Sequence, residues 1–229
     1  MTVPVRSLEF ADTREAADLA AFLGRLLHYD RAAAVRLQAG GGALAVFGRP
    51  PSFEVLAIRT ARLSGSHTFD VTVSAGELLE ALDPQGGDGP AADLPGPVTG
   101  PPWTGVLPPR GGWRPTDGLP SPVDLDAALA DAVAEFRARD AALPEERRTR
   151  AERDLIGHDI WSRTLGSTEL PLRAAHAAQC LGFLRAAPDF PVALLTAGAW
   201  LRLRTPFGSV ALRGAGGGLG ALAVTVQRA

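Results

Sequence analysis

The 229-residue sequence contains no lysine and a single cysteine, Cys180. One cysteine excludes an intrachain disulfide and a cysteine-rich zinc site. All 23 basic residues are therefore arginines, which together with the abundance of Ala, Gly and Pro indicates codon bias in a GC-rich genome. No run approaches 18 apolar residues, and the first residues lack the charged-then-apolar pattern of a secretion signal. We therefore expect a cytoplasmic protein without a membrane partner.

Overall charge and composition favour an ordinary globular protein. The net charge of −2 provides no general attraction to nucleic acid or to an anionic membrane. Hydrophobic residues make up 46% of the chain and charged residues 21%, which suits a chain that buries a sizeable core. No set of four side chains has the spacing of a metal site, so we expect no metal and no other cofactor.

The first segment, residues 1–83, has the pattern of an α+β part. Asp12 and Glu15 resemble a capping box ahead of a helix with an apolar stripe, and Ser74 is a plausible cap for the short helix in "AGELLEAL". Between the helices we predict four strands, with turns at Gly40–Gly42 and in "GRPPS". The four predicted strands are residues 33–38, 43–48, 55–63 and 68–74.

The second segment, residues 84–122, contains eleven prolines and nine glycines, which exclude a long helix or an interior strand. Residues 84–97 hold one large apolar side chain and are predicted to be mobile. The later part carries Trp103 and Trp113, which would bury a large apolar area. We therefore predict a strap pinned to the folded surface by these two anchors. A free linker and a proline-rich motif bound by a partner remain alternatives.

The third segment, residues 123–229, has the pattern of helices followed by antiparallel strands. Helices are predicted at 123–143, 144–165 and 171–184, and strands at 191–197, 199–205, 208–213 and 221–227. The run Gly214–Gly220 superficially resembles a phosphate-binding loop, but a strand-like run follows where such a loop needs a helix. We interpret it as a hairpin turn. The predicted fold is α+β, with two α+β parts joined by the strap.

No catalytic constellation emerges from the sequence. His176 and Cys180 lie four residues apart on one helix face, but their apolar surroundings favour core packing. His158 and Asp159 are adjacent in a helix and point about 100° apart, so they cannot pair with each other. We predict no catalytic residue and expect a non-enzymatic protein. Whether these four residues converge on a pocket is left open by the sequence.

The arginine-rich C-terminal end is the best candidate binding surface. No acidic residue follows Asp189. Strand alternation in "WLRLRT" places Trp200, Arg202 and Arg204 on one face, and Arg213 of the next strand faces the same way. A tryptophan flanked by arginines can stack a planar group or hold a carboxylate or phosphate. The alternative is a solvated sheet face on which arginine stems cover the tryptophan.

Two resemblances extend this interpretation. The phrases "GVLPPRGGW", "HAAQCLGFL" and "WLRLRTPFGSVALR" resemble a family of uncharacterised proteins from GC-rich actinobacteria, which implies no known activity. Residues 7–83 resemble one repeat of a DNA sliding clamp in element order: a strand, a helix, antiparallel strands, and a short helix after "DVTVS". The helices predicted between residues 123 and 165 have no counterpart in a clamp repeat.

Two functional hypotheses follow. The first is a binding or scaffold protein that self-associates or meets a protein partner through a sheet edge, the strap or the arginine-rich face. The alternative is an enzyme or small-ligand-binding protein with a pocket between the two α+β parts. DNA is not an expected partner, because the short helix carries Glu77 and Glu80 without a basic residue, and the first helix mixes both signs.

Overall fold

The computed structural model describes residues 7–82 and 91–214 of the protein. The predicted turn beyond Gly214 and the predicted strand at 221–227 lie outside the described residues. None of the helices in the described ranges combines the length and the apolar character needed to cross a membrane. The elements, in chain order, are β1 (Ser7–Glu9), α1 (Thr13–Tyr29), β2 (Ala34–Gly48), β3 (Leu56–Ser74), α2 (Ala75–Ala81), β4 (Ala91–Asp93), β5 (Arg114–Thr116), α3 (Pro122–Ala141), α4 (Arg150–Trp161), α5 (Leu172–Cys180), β6 (Ala193–Ala197), β7 (Trp200–Thr205) and β8 (Gly208–Arg213).

Six antiparallel strands form one sheet in the order β2-β3-β8-β7-β6-β5, and β1 pairs separately with β4. The two halves of the large sheet meet where β3 pairs with β8 over three residue pairs. In that register Leu56 lies opposite Ala211, and Ile58 lies opposite Ser209. The helices and antiparallel strands confirm the predicted α+β fold. The division into parts at residues 83 and 122 stays a prediction.

The four strands predicted in the first segment are two long strands, so the predicted turn at Gly40–Gly42 is wrong. Gly41 lies opposite His67 and Ala43 lies opposite Arg62, so the single residue between them opposes four residues of β3. This bulge places Gly41 at φ 61°, a left-handed conformation that glycine adopts without strain. The glycine run therefore offsets the strand register without reversing the chain. The predicted turn at "GRPPS" does join β2 to β3.

Side-chain caps set the starts of the main helices. The Asp12 carboxylate accepts hydrogen bonds from the backbone N–H groups of Arg14 and Glu15, and the Ser74 hydroxyl caps α2, as predicted. The predicted helix from Pro144 is corrected, because α4 begins only after Thr149, whose hydroxyl accepts from the N–H of Glu152. The residues after Pro144 form a short 3₁₀ turn instead.

A single apolar core spans both α+β parts. Helices α1, α2 and α5 pack directly against the sheet, while α3 and α4 pack on α5. The core cluster includes Leu23 of α1, Leu37 of β2, Leu129 of α3 and Leu203 of β7, all fully buried. Burial of one cluster by both parts makes the stability of each depend on the other.

Buried Arg59 adds a polar link between the two parts. Its guanidinium donates to the Asp18 carboxylate of α1 at 2.8 Å and to the carbonyl oxygen of Phe207, in the turn between β7 and β8. The guanidinium is almost wholly removed from solvent, and a buried charge requires such partners. Arg59 therefore holds the first helix and the C-terminal hairpin in a fixed relation.

The middle of the strap, with Trp103 and Leu107, lies over the outer face of the sheet, whereas Ala92 and Leu94 at its start pack in the main core. The described part of the strap begins as β4, whose residues 91–93 pair with β1, so the prediction of a mobile segment is wrong at these residues. Residues 84–90 lie outside the described residues. The Val98 N–H donates to the Thr72 carbonyl at 2.9 Å, and the Thr104 carbonyl accepts from the Arg36 guanidinium. The strap ends as β5, the edge strand beside β6.

Because both parts share one core, Leu129→Ala should lower the free energy of unfolding by about 2–5 kcal/mol. Urea unfolding, followed by both far-UV circular dichroism and tryptophan fluorescence, should remain one transition at a lower midpoint. Leu155→Ala is the matched control, because Leu155 is 65% exposed on α4 and its loss leaves no cavity. Two separate transitions in the Leu129→Ala protein would contradict a shared core.

Candidate functional site

The outer face of the sheet carries a small apolar cluster at the β3–β8 junction. Phe47, Ile58 and Ala211 are buried there. Side chains of the strap and of β7 pack over them, namely Trp103, Leu107 and Trp200. The strap thus covers part of the outer sheet face with aromatic and aliphatic side chains, which removes apolar area from water.

A cleft of about 430 Å³ opens between the strap and the sheet beside this cluster. Trp103 of the strap and Trp200 of β7 both line it, and Leu56 and Ala211, paired across the β3–β8 junction, lie at its base. Val106 lines the cleft and is 46% exposed. The cleft therefore offers apolar contacts to a ligand.

Three arginines and one acidic side chain line the same cleft: Arg49, Arg173, Arg213 and Glu54. The Arg213 guanidinium lies 5.5 Å from the ring centroid of Trp200. Arg173 Nε lies 3.8 Å from Glu54 Oε2, beyond hydrogen-bond range, and this buried atom has no hydrogen-bond partner among the described residues. The cleft therefore combines apolar walls with an excess of positive charge, which suits a carboxylate.

Glu54 occupies a strained backbone position at the edge of the cleft. Its φ of 53° makes it the one non-glycine residue with a left-handed backbone in residues 7–82 and 91–214. It ends the 3₁₀ turn Pro51–Phe53, and its side chain is 72% exposed. Such a conformation costs on the order of 1 kcal/mol or more, and the turn holds the Glu54 carboxylate close to Arg173.

The predicted binding residues separate into three environments. Trp200 and Arg213 line the cleft. Arg202 lies beneath the strap, where its Nε donates to the Ser209 hydroxyl at 2.9 Å, and burial followed by the charge of Arg204 holds its pKa below the ordinary value. Arg204 is exposed and does not line the cleft.

The two predicted strap anchors lie on the same sheet face. Trp103 packs on the apolar cluster and lines the cleft. Trp113 is half-buried, its indole N–H donates to the Pro109 carbonyl at 2.9 Å, and the Arg202 guanidinium lies 5.5 Å from its ring centroid. The two candidate sets, strap anchors and arginine-rich face, therefore form one continuous surface.

The sequence analysis missed Arg49, Glu54 and Arg173 as site residues. Arg49 directly follows β2 and Arg173 lies in the first turn of α5, more than a hundred residues later. No local pattern connects them, because only the folded chain brings both to the base of the strap. The "GRPPS" turn was recognised, and its position next to Glu54 was the only local signal.

A second cavity, of about 720 Å³, lies between the turn Pro51–Glu54 and helices α4 and α5. His158 and His176 both line it. The His176 ring stacks on Trp161 with centroids 4.3 Å apart and planes 11° apart, and Phe53 meets it edge-on at 5.3 Å. Burial lowers the pKa of His176, so its imidazole is held in the neutral form.

Asp159 and Cys180, the other two residues whose convergence the sequence left open, do not line this cavity. The Asp159 carboxylate accepts from Arg139 at 2.5 Å and from Arg163 at 3.1 Å, and these hydrogen bonds lower its pKa. Cys180 lies beside Tyr29, whose pKa is raised to about 12 by burial and by its hydrogen bond with Cys180. No group of three His, Cys, Asp or Glu side chains within the described ranges is arranged to hold a metal ion.

Two family models match successive parts of the chain. Residues 3–105 match "Domain of unknown function (DUF8010)" and residues 108–217 match "Domain of unknown function (DUF8185)". The two matches meet inside the strap, between Trp103 and Trp113. No curated protein matches the sequence.

Solved structures resemble the whole arrangement. A putative DNA polymerase III beta subunit from Eubacterium rectale superposes with a TM-score of 0.53 at 6% identity, over 91% of this chain and 64% of that one. The beta subunit of the DNA polymerase of Streptococcus pyogenes gives 0.51 at 10% identity, over 91% and 63%. The fold is sliding-clamp-like. The chain spans slightly less than two thirds of the length of these proteins, and at such low identity the likeness concerns the fold alone.

The environment of His176 predicts a pH dependence of stability. Its pKa is lowered in the folded protein, whereas the unfolded chain has the ordinary value of about 6.5. The unfolded state then binds more protons between the two pKa values, so the free energy of unfolding should fall as the pH drops below about 7. Urea titrations at several pH values should show a shallower fall for His176→Gln. An identical fall in both proteins would contradict this assignment.

Proposed function

We propose that this protein is a non-enzymatic binding protein that holds an acidic segment of a partner protein in the cleft between Trp103 and Trp200. One observation carries the proposal: three arginines surround an apolar base between two tryptophans, with Glu54 as the one acidic side chain in the described lining. A segment that combines carboxylates with an aliphatic or aromatic side chain matches both properties.

The contacts divide between the two properties of the cleft. An apolar side chain of the partner would enter between Trp103 and Trp200 and cover Val106, a burial that contributes about 1.5–3 kcal/mol for a leucine or a phenylalanine. A carboxylate would bind Arg213, whose planar guanidinium offers two parallel donors. A second carboxylate would bind the exposed part of the Arg173 guanidinium, whose only acidic neighbour among the described residues, Glu54, approaches Nε to 3.8 Å.

The chemistry of the lining supports binding over catalysis. Its ionisable side chains in the described ranges are the three arginines and Glu54. Arginine is effectively always protonated, so it serves as a donor to anions and not as a proton shuttle. Glu54 faces Arg173 and is largely exposed, which is unlike the buried environment that tunes a general acid.

The partner's identity, self-association, the cytoplasmic location and the actinobacterial resemblance stay predictions. The neighbours in fold are described as subunits of DNA polymerases, and a scaffold role for this chain is consistent with that fold. A second candidate function, a small-ligand-binding protein or enzyme with a pocket between the two parts, is favoured by the cavity that His158 and His176 share.

Peptide binding tests the cleft. We expect a fluorescein-labelled peptide of alternating glutamate and leucine to bind with micromolar affinity, measured by fluorescence anisotropy. Arg213→Ala and Arg173→Ala should each weaken binding about tenfold, because each removes a charge-assisted hydrogen bond. Glu54→Gln should strengthen peptide binding, because it removes the carboxylate that competes with the peptide for Arg173.

Two controls make the peptide experiment specific. Arg204→Ala removes an arginine of the same sheet face that does not line the cleft, and it should change the affinity less than about twofold. A peptide with lysine in place of each glutamate should not bind. Equal affinity for the two peptides, or an Arg204→Ala effect as large as that of Arg213→Ala, would refute the proposal.

DNA binding by the clamp-like helices is not expected. Helix α1 carries Arg14 and Arg25 but also Glu15 and Asp18, and α2 contains Glu77 and Glu80 without a basic residue. A short DNA duplex should therefore show no micromolar affinity at about 50 mM salt. Micromolar binding that disappears at about 200 mM salt would contradict this expectation, and its loss in Arg202→Ala/Arg204→Ala would place the contact on the C-terminal sheet.

A further inference from the structure

We infer that the cavity between the turn Pro51–Glu54 and helices α4 and α5 binds a small aromatic carboxylate. This site is separate in function from the cleft proposed for a protein partner and lies on the other side of the Arg173–Glu54 pair.

The size and the walls suit a compact aromatic ligand. The volume of about 720 Å³ lies within the range of small-molecule sites, which are concave and mostly lined by apolar and aromatic side chains. Five rings line this cavity, those of Phe53, Phe136, His158, Trp161 and His176. Aromatic groups pack favourably against such rings in stacked or edge-on geometry.

Three arginines and two acidic side chains, Glu54 and Asp154, line the cavity, and this excess of positive charge favours an anionic group on the ligand. Arg153 is already paired with Asp140 at 2.7 Å, whereas Arg150 makes only a long contact of 3.7 Å with Asp154. Arg173 also lines this cavity, and its buried Nε lacks a hydrogen-bond partner among the described residues. A carboxylate of the ligand would bind the accessible part of the Arg173 guanidinium, which Glu54 approaches only to 3.8 Å at Nε.

His176 is suited to orient the ligand. Its ring is fixed between Trp161 and Phe53, and no hydrogen bond joins it to another side chain of the described residues. A neutral imidazole carries one donor and one acceptor nitrogen. The ring can therefore position a polar group of the ligand while Trp161 and Phe136 enclose its apolar part.

Gly157 keeps the cavity open. It lies inside α4, where glycine is less favourable than alanine, and it lines the cavity. A Cβ placed there would lie 3.6 Å from Trp161 Cδ1 and 3.7 Å from Phe136 Cε2, which are ordinary contacts. Alanine is therefore compatible with the fold, and a larger side chain would project into the space that the ligand needs.

The test uses the full chain and the fluorescent probe 1-anilinonaphthalene-8-sulfonate, an aromatic anion. We expect saturable one-to-one binding with enhanced fluorescence, at least tenfold weaker in Gly157→Leu and little changed in Gly157→Ala. Trp200→Ala, which alters the protein-binding cleft, should bind the probe as the wild type does. Loss of binding in Trp200→Ala with retention in Gly157→Leu, or no saturable binding to the wild type, would overturn the inference.

Competition tests the carboxylate. Displacement of the probe by 1-naphthoate should need at least tenfold less ligand than displacement by the neutral 1-naphthylmethanol, and Arg173→Gln should abolish that difference. Equal competition by the two compounds would overturn the carboxylate assignment.

His176→Gln provides a variant with a smaller steric change if Gly157→Leu fails to fold, and it should also weaken the binding of 1-naphthoate. Unchanged 1-naphthoate binding in a folded His176→Gln protein would remove His176 from the site. Failure of the peptide experiment would leave the Gly157→Leu and His176→Gln outcomes unaffected, because neither residue lines the cleft.

Discussion

The pairing of β3 with β8 over three residue pairs is the contact on which the rest of the structure depends. It merges two half-sheets from distant parts of the sequence into one six-stranded sheet, and the single core forms on the helical side of that sheet. Arg59, on β3 next to this junction, links α1 to the turn between β7 and β8. The base of the cleft is formed by the same strand pair, so the candidate binding surface exists only where the two parts have joined.

The strap both packs on the sheet and forms one wall of the cleft, and its many prolines and glycines allow it to do both with little regular secondary structure. Its backbone groups are tied to the sheet at only a few points, such as the Val98 N–H on the Thr72 carbonyl. Between these points its side chains pack on the sheet, with Trp103 on the apolar cluster and Trp113 against the Arg202 guanidinium. A strap fixed mainly by side chains leaves gaps at its margins, and the cleft is such a gap, with Val106 exposed at its side.

Elements that depend on local chemistry could be predicted from the sequence, whereas features that depend on long-range pairing could not. The caps at Asp12 and Ser74 were predictable because a side-chain acceptor two or three residues before the bonded N–H is a local feature. The bulge at Gly41 was predicted as a turn because a run of glycines is typical of one. In the structure, the buried side chains change from odd positions ending at Ala39 to even positions starting at Leu44. A change of phase looks the same in sequence whether the chain reverses or only shifts its register. Trp200 and Arg213 followed from strand alternation, whereas Arg173 needed the tertiary fold.

The two proposed sites share two lining side chains, Arg173 and Glu54, and this has a thermodynamic consequence. Arg173 lines both the cleft and the cavity, and Glu54 is its nearest acidic neighbour. A guanidinium has five N–H donors, but they point in fixed directions within its plane. A carboxylate that binds Arg173 from one site therefore changes how many donors remain for a carboxylate in the other site. Coupling between two sites is reciprocal, because each ligand must change the affinity of the other by the same factor. If a small carboxylate draws the Arg173 side chain into the cavity, binding of an acidic segment in the cleft becomes weaker. If the small carboxylate instead takes the place of Glu54 beside Arg173, the donors of the guanidinium that face the cleft stay free to bind the segment. The sign of the coupling therefore depends on which donors of Arg173 the small ligand uses.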